Sequence, residues 1–487
     1  MVKIHTALWF TTKLILTGVL GAVLALIIVA VVYLDSRPDL SVWHLADLDE
    51  EFTADSEVTS FTEYLALEDR LFRQLDELVY DQIAPDERTN INRFNRGSAA
   101  DPIRWSPNWN RSYVMPVDAP RAAVLMIHGM SDSPYSLRNL AERLHASGAY
   151  VVGLRVPGHG TAPSGLVEVT WQDMEAAVHL AVRHLQAQAV GQPLYIVGYS
   201  NGAALAVNYT LGTLSDPALP RISRLALLSP EIGISKVGAL AVWQARLGHL
   251  LGLEKLAWND ILLEYDPFKY GSFAVNAGDV VYRLTNEIQK RITRLRESGQ
   301  IDEMPPTLAF SSVVDATVLA PDLIKNLYNR LPPGGHELVL FDINRVAGME
   351  PLMKWRPDEI VGALRADTDR TYAFKLVTNE NGYSEEVVQR TVLPGEDGFS
   401  EMPLELAWPE DLYSLSHIAL PFPPGDPLYG GEPTTPSPGI SLGNIVLKGE
   451  RGVLYVPPAQ MLRIRWNPFY PFLEDTVLSF FSLEAER

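Results

Sequence analysis

The chain has 487 residues and a formal net charge of −19, and 47% of its residues are hydrophobic. This composition excludes a largely disordered protein, and an acidic surface without a basic stripe disfavours nucleic acid as a partner. Because the chain has no cysteine, disulfides, thiolate metal sites and a cysteine nucleophile are excluded, and since no other metal-binding motif is present we expect no metal.

The N-terminal segment is predicted to be a membrane anchor, residues 1–34. Residues 14–34 carry no charge and are long enough to cross about 30 Å of hydrocarbon as a helix. The alternative is a cleaved signal peptide, but the apolar run exceeds the roughly 7 to 15 residues of a signal core and no A-x-A site follows it. Lys3 and Lys13 precede the run and acidic residues follow it. The positive-inside bias therefore predicts a single-pass protein of the inner (cytoplasmic) membrane with its main domain on the extracytoplasmic, periplasmic side.

Residues 35–110 are predicted to connect this anchor to the main domain. The segment 35–56 is acidic with scattered aromatic residues, which indicates a juxtamembrane linker. Apolar residues at helical spacing within 57–83 indicate an amphipathic helix, and we expect it to pack on the core.

Residues 111–487 are predicted to form an α/β domain. Its strands are continuous apolar runs separated by helices, a pattern typical of a mostly parallel sheet with helices on both faces. Residues 231–305 interrupt the alternation with apolar helical stretches and are predicted to form a helical cap. Residues 344–410 are predicted to be an insertion that contains a β-hairpin.

The motif at 194–202, LYIVGYSNG, predicts a reactive serine. Four apolar residues indicate a buried strand, and a helical run follows the G-x-S-x-G sequence, as a nucleophile elbow requires. A serine at the apex of so tight a turn is strained, so the elbow glycines Gly198 and Gly202 supply the necessary space. Ser200 is therefore the candidate nucleophile.

Two backbone amides are candidates for an oxyanion hole. The amide of Asn201 directly follows the nucleophile, and the amide of Met130 follows the first buried strand in the sequence HGM. We expect His128, the first residue of that sequence, to brace the loop rather than to transfer protons.

Candidates for the acid and the base follow later strands. Asp315 ends the strand after the cap, where a carboxylate can orient an imidazole, and Asp322 and Asp342 are weaker alternatives. His417 follows the last strand-like run and precedes an irregular loop, which suits a general base. His336 lies before a strand and therefore at the wrong edge of the sheet.

The sequences HGM, RVPGHG and GYSNG, in this order and spacing, resemble the α/β-hydrolase superfamily, nearest to monoglyceride lipases, lysophospholipases and small bacterial carboxylesterases. The resemblance covers roughly residues 111–429. It implies an eight-stranded sheet, a cap that shapes an acyl pocket, and Ser200, His417 and Asp315 as a triad that forms an acyl-enzyme without a cofactor. The segment between Asp315 and His417 is longer than usual for such enzymes, and the insertion accounts for the excess.

The leading hypothesis is a membrane-anchored serine hydrolase that cleaves carboxylic esters, in particular acyl or lipid esters. Apolar residues within 239–258, among them Trp243 and Leu250, favour an acyl pocket in the cap. The alternatives are an acyltransferase or thioesterase with the same triad, and a catalytically inactive membrane-tethered binding scaffold. The expected partners are a small-molecule acyl ester and, through the N-terminal helix, the membrane; the sequence does not predict the oligomeric state.

Overall fold

The computed structural model describes residues 2–233, 253–354, 356–396, 398–445 and 462–484. The strands are β1 (Tyr113–Met115), β2 (Ala122–Ile127), β3 (Ala149–Leu154), β4 (Leu194–Tyr199), β5 (Arg224–Leu228), β6 (Trp258–Asp260), β7 (Phe273–Ala274), β8 (Thr307–Ser312), β9 (Glu337–Phe341), β10 (Ala373–Asn379), β11 (Glu386–Val392) and β12 (Ser400–Ala407). The α-helices are α1 (Val2–Asp35), α2 (Val42–Leu45), α3 (Phe61–Leu78), α4 (Arg138–Ala146), α5 (Trp171–Gln188), α6 (Asn201–Ser215), α7 (Val275–Ser298), α8 (Ala320–Asn326), α9 (Pro357–Ala366) and α10 (Tyr470–Phe480).

A single 10-stranded sheet organises the domain, with the strand order β1-β3-β2-β4-β5-β8-β9-β10-β11-β12. Neighbouring strands from β3 to β10 are parallel, whereas β1 at one edge and β11 and β12 at the other are antiparallel to their neighbours. The expectation of eight strands is therefore wrong. The additional length arises because the hairpin of β10 and β11 continues the ladder beyond β9, and β12 then pairs with β11.

Both faces of the sheet are buried, which confirms the predicted α/β class. Consecutive side chains of a strand point to opposite faces, so the residues of β2 divide between two cores. Ala123, Leu125 and Ile127 pack in the core that α3, α5, α6 and α7 cover, whereas Ala122, Val124 and Met126 pack in the core that α4 and α10 cover.

The prediction of a membrane anchor is wrong. Crossing the hydrocarbon core of a bilayer requires about 20 consecutive, predominantly apolar residues in one helix. Over the described part of the chain, no helix meets the combined requirement of length and apolar character. This finding also removes the basis for the single-pass, inner-membrane location and for the membrane as a partner.

The segment that precedes the sheet is fixed to the domain by buried ion pairs. Arg155, in the loop after β3, is fully buried. Its guanidinium contacts both carboxylate oxygens of Glu51 at 2.9 Å and Glu68 Oε1 at 3.0 Å. The Tyr64 hydroxyl donates to the Arg155 carbonyl oxygen at 2.7 Å, and Glu51 also accepts a bond from the Gly158 amide. The N-terminal segment thus stabilises the RVPGHG loop from outside the sheet.

Candidate active site

Ser200 lies at a sharp turn between β4 and α6. Its backbone has φ 55° and ψ −118°, which is a strained conformation for a residue other than glycine. A Cβ atom at Gly198 would lie 2.5 Å from the Ala203 Cα, and one at Gly202 would lie 2.2 Å from the Ile127 carbonyl oxygen. The turn can therefore form only if both flanking positions are glycine, and it places the Ser200 hydroxyl at the carboxyl edge of the sheet.

Three buried side chains meet at this edge in a hydrogen-bonded chain. His417 Nε2 lies 3.0 Å from Ser200 Oγ, and His417 Nδ1 lies 2.9 Å from Asp315 Oδ2. Asp315 Oδ1 accepts bonds from the amides of Thr317 and Val318, at 2.8 and 2.9 Å. Burial raises the pKa of Asp315, but the charge and hydrogen bond of His417 and these two amides outweigh it, so the net pKa is lowered. The carboxylate is therefore ionised and fixes the imidazole ring.

The sheet topology explains how residues so far apart in sequence meet. Asp315 follows the end of β8, and His417 begins a short 3₁₀ turn after the chain has passed through β9 to β12. His336 lies at the opposite edge, where its Nδ1 accepts from the Thr307 amide at 3.2 Å. Asp342 is occupied by two bonds from Arg345, so it is not available to an imidazole.

The loop after β2 packs directly against the nucleophile. A Cβ atom at Gly129 would lie 3.0 Å from the Ser200 Cβ. Neither the Met130 amide nor that of Asn201, the first residue of α6, donates to an acceptor among the described loop and side-chain hydrogen bonds. His128 braces the loop, since its Nε2 accepts from the Val156 amide at 3.0 Å. Burial lowers the pKa of His128 well below its ordinary value, so the ring is neutral.

Glu231 is a fourth titratable group at this edge. It follows β5, and its amide donates to the Ser200 carbonyl oxygen at 3.2 Å. Burial raises the pKa of its carboxyl from 4.5 to about 7; His417 and a hydrogen bond with Ser200 act against this rise, and Asp315 adds to it. Glu231 therefore changes its ionisation near neutral pH, directly beside Ser200 and His417.

Sequence reasoning did not single out Glu231 as a functional residue. The available signal was its position: the sequence SPE directly follows the apolar strand β5, which pairs with the elbow strand β4. A charged residue at the carboxyl end of a buried parallel strand lies at the edge where ligands bind. Its carboxyl was overlooked because the same residue also begins the predicted cap.

The cap is described only in part. Residues 234–252 lie outside the described structure, and with them most of the apolar segment 239–258, including Trp243 and Leu250. The described remainder of 231–305 holds the two-stranded sheet of β6 and β7 and the helix α7. Within the described residues, no group of three or more His, Asp or Glu side chains is arranged to hold a metal ion.

Comparisons with known proteins show which families and structures this chain resembles. Residues 118–343 match the sequence family described as serine aminopeptidase, S33. A thermostable monoacylglycerol lipase of Bacillus sp. (strain H-257) is 32% identical over 84 residues, which are 17% of this chain and 33% of that protein. The chain therefore spans only a third of the length of this curated relative.

Two lipases are among the solved structures to which this chain is similar. A monoacylglycerol lipase of Paleococcus ferrophilus is 17% identical with a TM-score of 0.36, and the match covers 47% of this chain and 88% of that one. A soluble variant of the Saccharomyces cerevisiae monoglyceride lipase, solved with a substrate analog, is 18% identical with a TM-score of 0.36, and the match covers 47% of this chain and 82% of that one.

Proposed function

We propose that this chain, an α/β-hydrolase that resembles the monoglyceride lipases, is a serine hydrolase that cleaves carboxylic esters through an acyl-enzyme. One observation carries the proposal: Ser200, His417 and Asp315 form an unbroken hydrogen-bonded chain in a buried site, with 3.0 and 2.9 Å between the bonded atoms. This is the arrangement in which a serine hydroxyl becomes a nucleophile at neutral pH.

Acylation begins when Ser200 Oγ attacks the ester carbonyl carbon and its proton passes to His417 Nε2. The carbonyl oxygen becomes an oxyanion, and the amides of Met130 and Asn201 are the donors that stabilise it, together with the positive end of α6. The tetrahedral intermediate collapses when the ester C–O bond breaks. His417 then gives its proton to the leaving alcohol, and the acyl group stays on Ser200.

Deacylation repeats these steps with water as the nucleophile. His417 Nε2 takes a proton from water, the hydroxide attacks the acyl carbon, and the proton returns to Ser200 Oγ as the acid leaves. Throughout, Asp315 accepts the hydrogen bond from His417 Nδ1–H, which keeps Nε2 free to accept a proton and stabilises the imidazolium that forms in both steps.

The proposed substrates are acyl esters. The Bacillus relative is a monoacylglycerol lipase, which supports acyl esters as substrates. An acyltransferase or a thioesterase would use the same three residues. An acyltransferase would transfer the acyl group to an alcohol instead of water, and a thioesterase would release a thiol instead of an alcohol.

The test of this proposal is covalent labelling combined with turnover. A fluorophosphonate probe should label the native protein and not Ser200→Ala, and the native protein should hydrolyse a butyrate aryl ester. The matched control is Ser229→Ala, because the buried Ser229 hydroxyl has no hydrogen-bond partner among the described residues. Labelling that persists in Ser200→Ala would refute the proposal.

Product analysis separates the alternatives. With a butyrate ester and an added acceptor alcohol, a hydrolase releases butyrate, whereas an acyltransferase forms the new ester. Faster cleavage of the matched thioester would identify a thioesterase, and faster cleavage of an aminoacyl arylamide would favour the aminopeptidase activity for which the matching family is described.

A further inference from the structure

A cavity of about 230 Å³ borders the candidate active site. Its lining includes Ser131, which follows Met130, and Ile418, which follows His417. Ser200 and His417 are not among its lining residues. The cavity is therefore suited to hold a part of the substrate that lies beyond the reacting ester.

Most charges in this cavity are already paired with each other. Lys269 Nζ lies 3.2 Å from Asp132 Oδ2. Asp266 accepts two contacts from the Tyr429 hydroxyl, at 2.7 and 2.8 Å, and Arg465 lies 4.0 Å from the same carboxylate. These pairs neutralise two carboxylates and two cations. The charges that remain in the lining are those of Asp260 and Arg463.

Arg463 is the cation that remains. Its Nη2 donates to the Thr317 hydroxyl at 3.3 Å, and no described carboxylate lies within 4.0 Å of its guanidinium. Asp260, the third acid of the cavity, is exposed. An arginine has five N–H donors in a planar fork, and among the described residues only the Thr317 hydroxyl accepts a side-chain hydrogen bond from Arg463.

The position of Arg463 is fixed relative to the triad. The amide of Thr317 donates to Asp315 at 2.8 Å, so the hydroxyl that contacts Arg463 belongs to a residue bonded to the triad acid. The next residue, Ile464, accepts a hydrogen bond from the Ser416 hydroxyl at 2.5 Å, directly before His417. These two contacts hold the guanidinium at the same edge as the reacting groups.

We propose that Arg463 and this cavity bind an anionic group of the substrate, a carboxylate or a phosphate, so that the preferred substrates are acyl esters with a negative charge remote from the ester bond. The planar fork of arginine matches both oxyanions through two parallel hydrogen bonds. This inference rests on the proposed function, because it names the substrate class of the same site.

The experiment compares paired esters that differ in one charge. One pair is the 4-nitrophenyl ester of glutarate and that of its monomethyl ester, which places a carboxylate in the acyl part. The other pair is monobutyryl glycerol 3-phosphate and monobutyryl glycerol, which places a phosphate in the alcohol part. The measured quantity is the ratio of kcat/KM between the anionic and the neutral member of each pair.

We expect this ratio to exceed one for at least one pair, and that pair identifies the anion. Arg463→Gln should lower the ratio about ten-fold or more, as expected for a lost charge-assisted hydrogen bond, and Arg463→Lys should restore part of it. Labelling by the fluorophosphonate probe shows that each variant is folded. The matched control is Arg221→Gln, since Arg221 is half-exposed and pairs with Glu303 away from the site.

Two outcomes separate the failure of this inference from that of the proposed function. If the neutral esters are cleaved and Arg463→Gln leaves both ratios unchanged, or if both ratios lie below one in the native protein, anion binding by Arg463 is refuted and the hydrolase remains. If neither the neutral nor the anionic esters are cleaved and Ser200 is not labelled, the proposed function itself fails.

Discussion

Replacing Glu231 by glutamine should remove a pH dependence from the stability of the protein. The carboxyl titrates at about 7 in the folded chain against an ordinary 4.5. Between these values the folded state keeps a proton that the unfolded state has lost. Stability therefore falls as pH rises from about 4.5 to about 7, because ionising the buried carboxyl costs more in the folded state.

The size of the effect follows from the same two values. A rise in pKa from 4.5 to about 7 corresponds to about 3.5 kcal/mol, at about 1.4 kcal/mol for each pH unit. Glutamine keeps the shape and hydrogen-bonding capacity of the protonated acid but cannot ionise. Glu231→Gln should thus resemble the native protein at pH 4.5 and exceed it in stability by up to about 3.5 kcal/mol at pH 8.

Urea unfolding of the whole chain at pH 4.5 and pH 8, followed by circular dichroism, measures this difference. The matched control is Glu297→Gln, which changes an exposed carboxyl on α7. The pH dependence of kcat/KM gives a second readout, since the ionised Glu231 faces Ser200, His417 and Asp315. The reasoning is refuted if Glu231→Gln and the native protein differ by the same amount at both pH values.

Three further predictions concern the triad, the elbow and the buried ion pair. His417→Ala should lower kcat by several orders of magnitude, as loss of a triad member does, and steady-state kinetics in which His336→Ala shows that loss instead would reverse the assignment. Gly202→Ala should destabilise the fold by about 1–3 kcal/mol through overpacking, and it should also lower kcat. The control Gly382→Ala, whose added Cβ has nothing within 4 Å, should leave both the stability and kcat unchanged. Glu68→Gln should cost about 3–5 kcal/mol in urea unfolding because it leaves a buried cation without one of its partners; a cost below about 1 kcal/mol would contradict this.

The parts of the candidate site that sequence reasoning proposed are those with a recognisable position in the chain. Ser200 can be predicted as the nucleophile from five consecutive residues with their flanking strand and helix. The tight backbone turn of the elbow requires glycines at fixed neighbouring positions, and these are visible in the sequence. His417 and Asp315 follow from their place after strands, since parallel strands bring their carboxyl ends to one edge. The structure brings these three side chains within hydrogen-bonding distance.

The parts that it missed depend on packing between distant segments. The raised pKa of Glu231 and the proposed role of Arg463 depend on groups that meet only after folding, and neither residue lies in a motif. The apolar run at 14–34 predicted an anchor from hydropathy alone, and no helix in the described ranges supports it. The expected number of strands was too low because an edge strand has unpaired amides and carbonyls to which a further strand can pair. The sequence of β12 gives no clear signal that it does so.

The buried pairs of Arg155 also set an order for folding during synthesis. Glu68 and Glu51 precede Arg155 by 87 and 104 residues. At a synthesis rate of roughly 5 to 20 residues per second, Arg155 is added roughly 5 to 20 s after the two acids. During that interval α3 has no partner that compensates for burying Glu68, since burial alone raises the pKa of this carboxyl. The segment that carries Glu51 and Glu68 is therefore expected to dock only after β3 is complete, so it is among the later parts to reach its native position.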